Sequence, residues 1–263
     1  MRKGWKIFWI VCASVFGIGV VLCIAGFAVG ISDREVREAF RNGFGRFGIH
    51  TNHVVTDYET HTEMTVEEVG GEESIPFMGV RNLDVEVKAL EFRVVESDEV
   101  DVRLVKDVSR ECEEHLQIYK EGNTLHIEME DWKHHDPNAG SITLYVPEGM
   151  VLDSVEFSSG AASLELEGLH AREVDLEVGA GSIEASLVEA DEISLTCGMG
   201  SIAMTAGGRQ EDYNYDLEVG MGSVRLGGSE FGGMAMEKNI NNRAAKKMDI
   251  ECGMGSIEIG YEQ

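Results

Sequence analysis

Val174-Asp-Leu-Glu-Val-Gly-Ala-Gly-Ser182-Ile, Ile193-Ser-Leu-Thr-Cys-Gly-Met-Gly-Ser201-Ile and Tyr215-Asp-Leu-Glu-Val-Gly-Met-Gly-Ser223-Val are one phrase written three times. Val155-Glu-Phe-Ser-Ser-Gly-Ala-Ala-Ser163-Leu opens the series and Met248-Asp-Ile-Glu-Cys-Gly-Met-Gly-Ser256-Ile closes it. The serines follow one another after 19, 19, 22 and 33 residues, a period near 20 with two insertions. That period is the mark of a solenoid. Within each phrase the apolar residues alternate, which is a strand period. The inward row reads Phe157, Leu176, Leu195, Leu217 and Ile250, and after the serine the apolar parity shifts by one. A parity shift needs a corner, and Gly179, Gly181, Gly198, Gly200, Gly220, Gly222, Gly253 and Gly255 stand there. Glycine suits a bend with positive φ or a close approach to the next rung.

Working outward, alternation continues upstream at Leu83-Val85-Val87, Leu90-Phe92-Val94, Val100-Val102-Leu104, Leu125-Ile127-Met129 and Ile142-Leu144-Val146. Asp136-Pro-Asn-Ala-Gly140 is a turn between the last two, and Ser109–His115 has the makings of a helical turn. The reading is an all-β, single-stranded β-solenoid of short rungs over 75–263. Gly227–Lys247 interrupts it with a basic island of Lys238, Arg243, Lys246 and Lys247. That insertion is either a binding loop or a flap over the open end of the stack, where an exposed edge invites pairing.

Ile7 to Ile31 is a run of 25 residues without a charge. As a helix at about 1.5 Å per residue it exceeds the ~30 Å hydrocarbon core and spans with some tilt. We therefore expect one transmembrane helix within 1–31. The rival is a signal peptide cleaved near Gly26-Phe27-Ala28. Ser32 and Glu35 form a capping box opening a short helix, and a polar tether completes 32–74. Arg2, Lys3 and Lys6 precede the span and Arg34, Arg37, Arg41 and Arg46 follow it, so charge counting alone leaves the orientation nearly balanced.

The formal charge is −26, and everything after Ile31 carries −29, from 19 basic and 48 acidic residues. Nucleic acid is excluded as a partner, because phosphate binding needs a basic face. No catalytic, cofactor or metal residues emerge. His50-x-x-His53 and His134-His135 lack a second ligand pair, and the Gly-Met-Gly-Ser phrases are not nucleophile elbows. The repeated serine reads as a stacked hydrogen-bonding row. Asp175, Glu177, Asp216, Glu218, Asp249 and Glu251 fall at outward positions in two parallel rows. Such rows are either solvated surface or a face for cations, cationic peptides or a basic envelope protein. Cys197 and Cys252 share one inward position, with Val219 expected on the rung between them, roughly 9.6 Å apart in all. A disulfide reaches no further than about 7 Å, so we expect none.

Set beside Ile142-Thr-Leu-Tyr-Val-Pro-Glu-Gly149, the repeats resemble the bacterial adhesin-like domain of unknown function called the toastrack domain, over roughly Pro76 to Tyr261. The resemblance implies a β-solenoid at the cell envelope, a C-terminal domain outside a single-pass anchor, a part in surface binding or envelope-stress sensing, and no catalytic residues. Two alternatives stand beside it: a self-assembling scaffold resembling bactofilin-type β-helices, and a polysaccharide-acting β-helix enzyme. The enzyme is disfavoured because basic residues are few among the repeats, Arg225 being the one beside a repeat serine.

Overall fold

The computed structural model describes residues 67–69, 72–129 and 140–262. The expected anchor, the capping-box helix, the Asp136-Pro turn and His50, His53, His134 and His135 lie outside the described residues. Among those described, no helix is long and apolar enough to cross a membrane. The first half supplies β1 (Glu67–Val69), β2 (Glu72–Phe77), β3 (Asn82–Val87), β4 (Glu91–Ser97), β5 (Val102–Val108), helix α1 (Arg110–Glu113), β6 (Leu116–Glu121), β7 (Thr124–Met129) and β8 (Gly140–Pro147). The repeats supply β9 (Val151–Ser159), β10 (Ser163–Val178), β11 (Ser182–Glu189), β12 (Glu192–Cys197), β13 (Ser201–Gly207), β14 (Tyr213–Val219) and β15 (Ser223–Leu226). Then come β16 (Ser229–Gly232), β17 (Met236–Ile240), β18 (Lys246–Cys252) and β19 (Ser256–Glu262). The described residues are thus mostly β, in one large mixed sheet.

Strand–corner–strand units stack in register. The strand before each corner joins one ladder, β7–β3–β9–β10–β12–β18–β14, parallel throughout. The strand after the corner joins a second, β8–β4–β10–β11–β13–β19–β15, also parallel. The long β10 serves both, its first half following one corner and its second half leading to the next. Alternation does the work expected of it: Val174, Leu176 and Val178 are buried and Glu173, Asp175 and Glu177 are exposed. Val100, expected on a strand, is instead 89 % exposed just ahead of β5.

The stacking order is not the chain order. The unit of β3 and β4 sits between β7/β8 and β9/β10, and the final unit, β18/β19, sits between β12/β13 and β14/β15. Contrary to the expected spacing, Cys197 therefore pairs directly with Cys252, and Val219 lies on the far side of Cys252. The two thiols are free and buried, but one strand spacing of about 4.8 Å separates their strands, and distance does not forbid a bridge. Tyrosines hold the connection that passes over the displaced unit, and one pair ties β14 to it. Tyr213 Oη donates to the carbonyl of Gly207 at 2.8 Å. Tyr215 Oη donates to that of Gln210 at 2.7 Å and meets Tyr261 Oη at 2.9 Å.

The corner glycines are explained by close approach, not by positive φ. A Cβ on Gly181 would lie 2.0 Å from the carbonyl oxygen of Ala162, and one on Gly200 would lie 2.3 Å from that of Gly181. The serine row stacks as expected, yet among the described residues only the Ser163 and Ser182 hydroxyls are seen to meet, at 3.4 Å. That exceeds an ordinary O–H···O bond of about 2.5–3.0 Å, so the row is packed and not chained.

Antiparallel strands close both ends. β6 covers β7, and β5, β2 and β1 continue from β8. At the other end β16 folds back on β15 and β17 on β14, so the 227–247 insertion supplies the flap over the open edge, while its last two residues, Lys246 and Lys247, already belong to β18 within the stack. Ser109 caps α1, its hydroxyl accepting from the backbone N–H of Cys112 at 3.2 Å, where a helical turn was expected.

Candidate cation-facing surface

The outward face of the first ladder carries both predicted rows, in an order only the stacking reveals. One row runs His126, Asp84, Glu156, Asp175, Ser194, Asp249, Asp216, Asn239. Beside it run Glu128, Glu86, Ser158, Glu177, Thr196, Glu251, Glu218, Glu237. The six predicted carboxylates thus form two groups. Asp249 and Glu251 stand directly against Asp216 and Glu218, while Asp175 and Glu177 are set apart by Ser194 and Thr196. Like charges one strand spacing apart cost about 0.8 kcal/mol in water.

The electrostatics carry this crowding. Asp175 is exposed as a residue, yet its carboxyl is hemmed in by neighbouring outward side chains. Desolvation first, then the charges of Glu156 and Glu177, push it up to about 6. Desolvation and Glu86 push Glu177 up, and desolvation, Glu218 and Asp249 do the same for Glu251. Relief is local: Lys247 Nζ donates to Asp249 Oδ2 at 2.6 Å, and Asn239 Nδ2 donates to Asp216 Oδ1 at 2.8 Å. Two of the four basic-island residues are engaged here, Lys247 with Asp249 and Lys246 over the Tyr213 ring.

On the side of the first row away from the second lies a shallow groove of about 240 Å³, lined by Glu156, Glu173, Asp175, Glu192, Lys247 and Asp249 among others. Asp249 Oδ1 is buried there with no hydrogen-bond partner among the described residues. A buried acceptor without a donor is uncommon in folded proteins.

Further along, the face changes character. His126 Nδ1 lies 2.9 Å from Asp84 Oδ2 and 3.9 Å from Glu128 Oε1. Tyr119 stacks on the imidazole at 4.7 Å and its hydroxyl donates to Glu128 at 2.6 Å. These half-buried groups have the donor set for a divalent cation. Sequence reasoning passed over Asp84, Glu86, His126 and Glu128. The signal was present: Leu83-Asp-Val-Glu-Val87 and Leu125-His-Ile-Glu-Met129 repeat the alternation of Val174-Asp-Leu-Glu-Val178 without the glycine corner.

A family model described as Toastrack DUF4097 matches residues 80–263. Among solved structures, a "putative cell adhesion protein" from Clostridium sporogenes is 14 % identical, with a TM-score of 0.51 over 73 % of this chain and 99 % of that one. A "putative adhesin" from Bacteroides fragilis is 13 % identical over 72 % and 95 %, with a TM-score of 0.35. Another from Parabacteroides distasonis is 12 % identical over the same shares, with a TM-score of 0.30. The Clostridium structure shares the fold; at this identity it speaks to nothing further. Comparison with curated proteins returned no match.

Proposed function

Because the chain belongs to the Toastrack DUF4097 family, we propose that it is an adhesin-like, non-catalytic β-solenoid module of the bacterial cell surface, held by a single-pass anchor at 7–31. Its outward acidic face engages polycationic partners. The observation that carries this is Asp249 Oδ1, a buried acceptor lacking a donor in a groove of carboxylates. Lys247 already meets Oδ2, and an ammonium or guanidinium group supplies the hydrogen that Oδ1 lacks. A role for the carboxylates is supported by the same face: outward strand positions need only be polar, and Ser194 and Thr196 show that neutral residues serve. The scaffold alternative is weakened by the antiparallel strands over both ends of the stack, since end-to-end growth needs open parallel edges.

Exposed charges are screened beyond about 8 Å at physiological salt, so binding is weak, multivalent and lost as salt rises. The test is a chain carrying D175N, E177Q, D216N, E218Q, D249N and E251Q, titrated with an oligolysine peptide at low and physiological salt. Inward positions are untouched, so its circular dichroism and melting should stay those of a folded domain. Affinity for the peptide should fall tenfold or more. Equal affinity in parent and variant would make the rows mere solvated surface.

A further inference from the structure

The corner that the glycines make also carries an apolar residue to the outside, and the stacking order gathers three of them. Met199, Met254 and Met221 occupy the middle of successive Gly-Met-Gly corners, and they are 65 %, 56 % and 68 % exposed. Their backbones are registered: Met199 N–H donates to Gly179 O, Met254 N–H to Gly198 O, and Met221 N–H to Gly253 O, each at 2.7 Å. The series continues onto the flap, where Ala235 N–H donates to Gly220 O and Met234 beside it is 88 % exposed. Chain order would have separated these side chains differently. Only because β18/β19 slots between β12/β13 and β14/β15 does Met254 fall between Met199 and Met221.

Packing does not ask for methionine here. The same corner position is Ala161 and Ala180 on the two preceding units, both exposed. A single exposed apolar side chain needs no account, but a contiguous line of them does. What distinguishes methionine from the other apolar residues is its polarizable thioether on a flexible stem. Adjacent strands are about 4.8 Å apart, close to twice a metal–sulfur bond of about 2.3 Å. That backbone spacing is one at which flexible side chains on neighbouring rungs can bring two sulfurs onto one cation, with the third side chain free to rotate toward it. Thioether sulfur is a soft ligand that selects monovalent copper over hard cations such as magnesium or calcium.

We propose that Met199, Met254 and Met221 form a thioether site for a soft monovalent metal ion, of the class of copper(I) and silver(I). The site stands on the corner edge of the stack, separate from the acidic face, and does not depend on that face binding anything. Thiols do not complete it: Cys197 and Cys252 lie on the inward side of the same corners, buried beneath the glycines.

The probe is silver(I), which needs no reductant. The full chain is labelled with 13C at the methionine methyls and titrated past the equivalents its five cysteines consume. The methyl signals of Met199, Met221 and Met254 should shift together, while those of the buried Met204 and Met248 stay in place. The triple variant M199L/M221L/M254L keeps the apolar bulk and removes only sulfur. It should fold and melt as the parent does and bind at least one silver equivalent fewer. If the three signals do not move, or the leucine variant keeps the parent's silver capacity, the site does not exist. A partner held equally well by parent and leucine variant, with no silver effect, would make the ridge an apolar docking edge and overturn the metal assignment.

Discussion

Asp175 shows what the acidic face costs the fold that displays it. Its carboxyl is raised from 3.8 to about 6, so the folded protein holds a proton where the unfolded chain has lost one. The stabilisation from that proton is present in full below about pH 4 and disappears as pH rises through about 6. Glu177 and Glu251, also raised, act in the same direction. D175N removes the titration and keeps a polar side chain. Because water screens this exposed position, the variant should be more stable than the parent by no more than about 1 kcal/mol at pH 8. Near pH 4 the difference should vanish. Thermal melts at the two pH values decide it, and a gain independent of pH would mean the charge is not the cause. The cysteines are the opposite case. Burial raises the thiols of Cys112, Cys197 and Cys252, leaving little thiolate to react. In the native chain all three should resist iodoacetamide and become labelled only on unfolding; rapid native labelling of Cys197 or Cys252 would show the corner to be open.

Among the elements, the corner is where sequence was most legible and the stacking least. Glycine pairs around a parity shift announce a bend, and the structure adds the reason both are glycine: a neighbouring unit's carbonyl occupies the space a Cβ would fill. G200A should therefore cost about 1–3 kcal/mol or more, as overpacking against backbone does. G160A, whose Cβ would sit 3.4 Å from Lys88 O, should cost much less. Denaturant midpoints of the two variants test this, and equal losses would refute close approach as the constraint. The first-half units escaped a full reading because they lack the glycine phrase, and β6 and β2 because they pair antiparallel as covers. The order of units was written in the spacings, though not in a form that alternation exposes. A 19-residue step advances one strand spacing. The 22-residue step to Ser223 adds three residues, an extended reach of roughly 10 Å, enough to pass over one further unit of about 4.8 Å. The 33-residue step then holds the flap and the return that fills the gap. Periodicity reports which residues face inward; it is silent on which neighbour they face.

At the scale of the whole chain, the reordering makes the C-terminus an interior part of the stack. In a solenoid laid down in chain order, losing the last unit trims an end, since each unit contacts only its neighbours and stability is close to a sum over them. Here residues 246–262 lie between β12/β13 and β14/β15, and bury Met248, Ile250, Cys252, Ile257 and Ile259 against both. Their removal strips one neighbour from each flanking unit and leaves β14, β15 and the flap without a parallel partner. Tyr215 also loses Tyr261 from its hydroxyl pair. A chain ending at Ala245 should therefore lose the cooperative melt of the C-terminal half, with protease cutting throughout 208–245. A deletion confined to the flap, 229–240, uncovers one edge and should leave a cooperative transition at a lower midpoint. Limited proteolysis and circular dichroism on the two shortened chains separate the cases. If the chain ending at Ala245 melts as sharply as the parent, the final unit is terminal after all, and the methionine row and the Asp249–Asp216 contact fall with the interleaved order that produced them.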